Sequence, residues 1–132
     1  MTAASAQTVV RSFLEHLARR ETEQALALLA DDVVWRNTAM PAFEGARVHA
    51  MIRDMEARGI GFDVRWKHVA ADGDAVLTDR TDVISYGSWE TSFGVRGTFE
   101  VRDGRIAVWD DSFSWLELLG SGVLGVVRMI SS

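Results

Sequence analysis

The sequence predicts one α+β domain, with N-terminal helices covering the concave side of a curved, mostly antiparallel sheet. Three observations carry this reading. Apolar residues recur at helical spacing through most of the first sixty positions, and from Phe62 onward they alternate at period two. The alternating segments are joined by short turns rich in Gly and Asp, without the strand–helix–strand alternation of a parallel sheet. The 132 residues suffice for one core, and no repeat, linker or shift of composition marks a second domain, so 1–132 reads as a single unit.

Val9, Val10, Phe13, Leu14 and Leu17 define a first amphipathic helix from about Ala6 to Arg19. Thr22 is a candidate N-cap for a second, with Ala25, Leu26, Leu28 and Leu29 as its apolar set and Asp31 and Asp32 as its end. Val33 to Asn37 reads as a short strand with Val33, Trp35 and Asn37 on one face; Pro41 then predicts a loop from Thr38 to Ala46. Gly45 opens a third helical pattern, with Val48, Met51, Ile52 and Met55 toward the core and Gly59 and Gly61 as its stop.

Strands follow. Phe62, Val64, Trp66 and His68 share one face of the first, and the turn 71–74 leads into a strand from Ala75 to Ser85. Trp89 to Val101 is long enough for a bent strand, with Gly94 and Gly97 as candidate bulge or bend positions. A hairpin turn at 102–105 precedes the last strand, Ile106 to Phe113, in which Trp109, Asp111 and Phe113 share a face. The apolar, glycine-punctuated stretch 115–132 predicts a broken helix that closes a pocket or joins a dimer contact.

Composition removes several function classes. A net charge of −5 without a Lys/Arg stripe argues against a nucleic-acid platform. With no cysteine there is no disulfide, thiol nucleophile or thiolate metal site, which fits a cytoplasmic protein. The N-terminus has no basic-then-apolar secretion pattern, and the apolar stretch near the end is too short and too interrupted for a membrane span; a soluble protein is expected. His16, His49 and His68 show no metal-binding spacing, and phosphate-loop, dinucleotide and nucleophile-elbow motifs are absent. No cofactor is called for.

The informative stretch is Ala75 to Ser85. Its period of two puts Thr78, Arg80 and Asp82 on one face, and buried charge is costly unless paired. Either this face is solvated, or Arg80 and Asp82 line a pocket. In a curved sheet Asp111 and Asn37 can converge with them. Two carboxylates separated by an arginine can divide into a base that takes a proton from water and an acid that gives one, and an amide can fix the direction of the water. A solvated ion-pair network is the plainer account, and the one expected for Asp72, Asp74, Asp79 and Asp103, which fall in turns or on the opposite face. Asn37 serves equally as a turn-capping residue ahead of Pro41. Met40, Met51, Met55, Trp35, Phe93 and Trp109 are candidates for an apolar wall.

The segments Trp35-Arg36-Asn37, Leu77-Thr78-Asp79-Arg80-Thr81-Asp82 and the run from Gly104 to Phe113 resemble the limonene-1,2-epoxide hydrolase family, nearest its actinobacterial branch, over almost the whole chain. The resemblance implies a cone-shaped fold of the nuclear-transport-factor-like type, a homodimer and a deep apolar pocket. There an Asp-Arg-Asp triad adds water to an apolar epoxide in one step, without a cofactor. Carried over position by position, the acid is Asp82, the bridging arginine Arg80, the base Asp111 and the water-holding amide Asn37. His68 and Phe113 join the candidate pocket wall. The chain departs from the family pattern where Trp35 stands for a tyrosine, Asp110 for an arginine, Ser112 for a tyrosine and Ser114 for an aspartate. The alternatives are an epoxide-opening cyclase or an isomerase on the same scaffold, and a non-catalytic binding or dimerisation module.

Overall fold

The computed structural model describes residues 5–122. Helix α1 (Ala6–Ala18) starts where Ser5 accepts a hydrogen bond from the Thr8 amide at 3.1 Å, an N-cap that satisfies one otherwise unpaired donor. Its buried face is Ala6, Val9, Val10, Phe13 and Leu14, the spacing read from the sequence. Helix α2 (Thr22–Leu26) is shorter than predicted, and Thr22 is its first residue, not its cap. Strand β1 (Leu29–Asn37) has already begun at Leu29, and Asp31 and Asp32 are exposed residues within it. The expected loop contains a two-residue strand, β2 (Phe43–Glu44), antiparallel to β1. Gly45 caps α3 (Ala46–Ala57) with φ +59°, a left-handed conformation that suits a residue without a Cβ.

The long strands are β3 (Ile60–Asp72), β4 (Ala75–Tyr86), β5 (Trp89–Arg102) and β6 (Arg105–Phe113). Their order with the first two is β2-β1-β6-β5-β4-β3; β1 and β6 run parallel and the other pairs antiparallel. Helix α1 packs on β3 through β6, while α3 touches β1 and β2 at one side of the sheet and β3 at the other. Both edges therefore curl toward the same helix, and the sheet is concave around the helical layer. The core sits in that hollow, with Phe13 edge-on to Trp109 at a centroid distance of 5.0 Å.

Gly94 and Gly97 do not mark a bulge. Pairing of β5 with β4 runs without a register shift, and its irregularity with β6 lies between Glu100 and Val101. After β6, residues 115–122 are helical and lie along the first half of β5, whose outer edge β6 no longer covers. The Gly94 amide donates to Glu117 Oε1 and the Ser92 amide to Ser121 Oγ, each at 2.9 Å, so side chains take the place of the missing strand. Residues 123–132 of the expected lid or dimer segment lie outside the described residues. Among the described residues no helix is long and apolar enough to cross a membrane.

Candidate active site

The period of two on β4 is kept, and it turns Thr78, Arg80 and Asp82 inward, all buried. The solvated-face alternative is thereby excluded. Arg80 is 0% exposed and makes four side-chain hydrogen bonds. Its Nε donates to Asp82 Oδ1 at 2.9 Å and its Nη2 to Asp82 Oδ2 at 3.1 Å, a two-pronged grip. Nη1 donates to Thr78 Oγ1 at 2.8 Å, and Nη2 also donates to Asp111 Oδ2 at 2.9 Å. Asp111 comes from β6, and the same Oδ2 accepts from Trp109 Nε1 at 2.8 Å. Among the described residues its buried Oδ1 has no hydrogen-bond partner, and neither has the buried indole Nε1 of Trp35.

Asn37 pairs with Asp111 in the parallel β1–β6 register, and Trp35 with Trp109 two residues earlier. The two indoles stack with centroids 4.2 Å apart and planes 12° from parallel. The backbone carbonyl of Asn37 also accepts from the Met40 amide at 3.1 Å, so the residue closes the turn while its side chain lines the cavity.

That cavity has a volume of about 260 Å³. Asn37, Asp82 and Asp111 lie on its wall, and most of the remaining lining is apolar. Trp35, Met40, Met51, Met55, Phe93, Trp109 and Phe113 all line it. Arg80 lies behind the two carboxylates rather than on the wall. His68 is misplaced in the sequence reading: the β3–β4 register shifts between Trp66 and His68, which leaves His68 exposed and puts Val69 against the core. Ile60, Phe62 and Ile84 also form part of the wall; Phe62 and Ile84 are cross-strand partners, and the alternation of β3 and β4 already carried that signal. Leu17 and Ile52 enter it from helices, through packing that strand periodicity does not reveal. Among the described residues no group of three His, Cys, Asp or Glu side chains is arranged to hold a metal ion.

Burial pushes the Asp111 carboxyl up to about 6; Arg80 opposes this and the neighbouring Asp82 charge adds to it. Burial also raises Asp82, against the pull of Arg80. For Arg80, burial works against the cation, but Asp111 and Asp82 hold its pKa above the usual arginine value. A carboxylate pair bridged by one cation carries a net negative charge when both acids are ionised. In a buried site this favours keeping one proton, the condition under which one acid gives a proton while the other takes one.

The family model described as the limonene-1,2-epoxide hydrolase catalytic domain matches residues 4–123. The epoxide hydrolase EphG of Mycobacterium tuberculosis is 37% identical over 122 residues, which is 92% of this chain and 81% of that protein. The solved structure of an M. tuberculosis LEH-like epoxide hydrolase superposes with a TM-score of 0.91 at 35% identity, covering 98% of this chain and 97% of the other. A putative polyketide cyclase from Xanthomonas campestris shares the fold at 21% identity with a TM-score of 0.77, covering 88% of this chain and 95% of that one.

Proposed function

The chain belongs to the limonene-1,2-epoxide hydrolase family and is an epoxide hydrolase acting on an apolar epoxide, and we propose that it adds water in one step with Asp111 as base and Asp82 as acid. The observation that carries this reading is a single buried guanidinium joining two carboxylates on the wall of an otherwise apolar cavity. Asp111, whose Oδ1 has no hydrogen-bond partner among the described residues, takes a proton from water as the water oxygen attacks an epoxide carbon. The C–O bond breaks, and the departing oxygen receives the proton of Asp82. Asn37, beside Asp111 in the register, accepts a hydrogen bond from the second water hydrogen, which stays on the product hydroxyl. The Trp35 N–H, which has no partner among the described residues, donates to one lone pair of the water, leaving the other for attack. Each positioned acid or base contributes about 10²–10⁴-fold. Arg80 keeps both carboxylates in place through the proton transfer and balances their charge in a site from which water is largely excluded.

One observation favours a second assignment with the roles exchanged. Arg80 grips Asp82 with two hydrogen bonds, which favours its ionised form, while Asp111 is the acid pushed to about 6. The adjacency of Asn37 to Asp111 supports Asp111 as base, and the two assignments separate by substrate. An epoxide whose C–O bond is weakened by an aryl group needs less protonation. The variant lacking the acid therefore recovers on such a substrate, and the variant lacking the base does not. We expect Asp82→Asn to recover; recovery by Asp111→Asn would reverse the roles.

The test of the reaction is diol formation from a panel of apolar epoxides in isotopically labelled water, with Asp111→Asn alongside. Label in the diol from the native protein, lost in the variant, is the expected result. Conversion only of epoxides that carry an internal hydroxyl would make the protein a cyclase, and no conversion of either kind would return it to a binding module. The proposal includes a homodimer resident in the cytoplasm without a nucleic-acid partner; the acidic balance of the chain supports the last point, and light scattering tests the first.

A further inference from the structure

We infer that Gly97 is a positioning residue, whose missing Cβ is the space through which Arg80 crosses β5 to reach Asp111. The inference rests on the proposed triad for its effect on catalysis, but its geometry stands apart. Adjacent strands lie about 4.8 Å apart, so a bridge from β4 to β6 must span about 10 Å over the surface of β5. Arg80 stands opposite Val95, whereas Asp111 stands opposite Gly97, so the guanidinium runs diagonally toward position 97. The inward neighbours at 95 and 99 are buried Val and Phe side chains, and Gly97 is the gap between them.

A methyl group at Gly97 would come within 2.5 Å of Arg80 Nη1, 2.5 Å of Asp111 Oδ1 and 3.0 Å of Thr78 Oγ1. Non-bonded heavy atoms prefer about 3.5–4.0 Å. None of these atoms is a loose chain end, because Arg80 is fixed by Asp82, Thr78 and Asp111, and Thr78 Oγ1 itself donates to the Gly97 carbonyl at 3.1 Å. Gly97 has no left-handed φ, so conformational freedom does not explain a glycine here, and a glycine inside a strand weakens it. Gly94 supplies the contrast on the same strand: a methyl group there meets nothing nearer than Glu117 Oε1 at 3.7 Å.

The experiment compares Gly97→Ala, Gly94→Ala, Arg80→Gln and the double variant Gly97→Ala/Arg80→Gln by unfolding midpoint, kcat, KM and pH profile. Gly97→Ala is expected to lower kcat by about 10²-fold or more with a smaller change in KM. Its acid limb should move to higher pH, because the withdrawn guanidinium no longer holds the Asp111 carboxyl down. Gly94→Ala should match the native protein. In the Arg80→Gln background, whose side chain is shorter, the methyl group should cost far less stability than it does beside the full arginine. If Gly97→Ala alone does not fold and the double variant does, the clash with Arg80 is the cause. Native kcat and acid limb in Gly97→Ala would overturn the inference, as would an equal loss of midpoint in both backgrounds or a double variant that fails to fold where Arg80→Gln alone folds. Should the native protein open no epoxide, the catalytic reading falls, and the stability comparison still decides the role of Gly97.

Discussion

Nη2 of Arg80 lies 2.9 Å from Oδ2 of Asp111 although a whole strand, β5, separates the two residues. The same nitrogen lies 3.1 Å from Asp82 Oδ2, so one atom couples the two carboxylates. Removing the arginine therefore does more than delete a charge. It leaves two buried acids side by side, with protonation as their remaining route to neutrality.

Arg80→Met should cost about 3–5 kcal/mol at neutral pH, the usual result of breaking a buried ion pair from one side. The deficit should shrink as pH falls and the two acids take up protons. Denaturant unfolding at pH 5 and 7.5 checks this. Arg80→Lys keeps the charge but cannot fork between two acids, and should still lose about 10²-fold in kcat.

The rate should depend on pH through the base. Asp111, pushed up to about 6, is protonated below that value and ionised above it. With Asp111 as base and Asp82 as acid, kcat/KM should rise tenfold per unit below pH 6 and fall again at the higher pH where Asp82 gives up its proton. A limb near the ordinary aspartate value would show that burial does not govern this group in solution.

The grouping of Arg80 and Asp82 was legible because strand parity is a strict rule. Once Ala75–Tyr86 is a strand, Arg80 and Asp82 must share a face, and Trp109, Asp111 and Phe113 likewise on β6. Which face is buried was not legible, since that depends on how the sheet curls around α1 and α3. His68 was misread because one shifted residue reverses every side chain beyond it. Asp31 and Asp32 look like a helix end, yet they are exposed residues of a strand whose Leu29 and Val33 are buried. Gly97 advertised a bend; what fills the space beside it comes from β4 and β6 and cannot be read from β5 alone.

Stability should carry the opposite sign to activity. The folded protein holds the Asp111 proton up to about pH 6, whereas an unfolded aspartate releases it near 3.8. Between these values the folded state binds more protons, so this group makes stability fall as pH rises from about 4 to 6. A shift of about two units corresponds to a few kcal/mol at most, on the order of 3. Asp111→Asn removes the titration, so its midpoint should vary less over this window than that of the native protein. Parallel curves for the two proteins would refute the linkage.

Trp35 offers the sharpest separation between a structural and a chemical role. Its ring stacks on Trp109, yet its buried N–H has no partner among the described residues, a loss that folding alone does not repay. Trp35→Phe keeps an aromatic ring for the stack and removes the orphan donor, so stability should change little. If the N–H holds the attacking water, kcat should fall about tenfold, the worth of one hydrogen bond near 1.4 kcal/mol, with KM nearly constant. Trp35→Tyr, which restores a donor on an aromatic ring, should recover most of that loss. Activity that merely follows the unfolding midpoint across the three proteins would make Trp35 a packing residue and leave the water to Asn37 and Asp111.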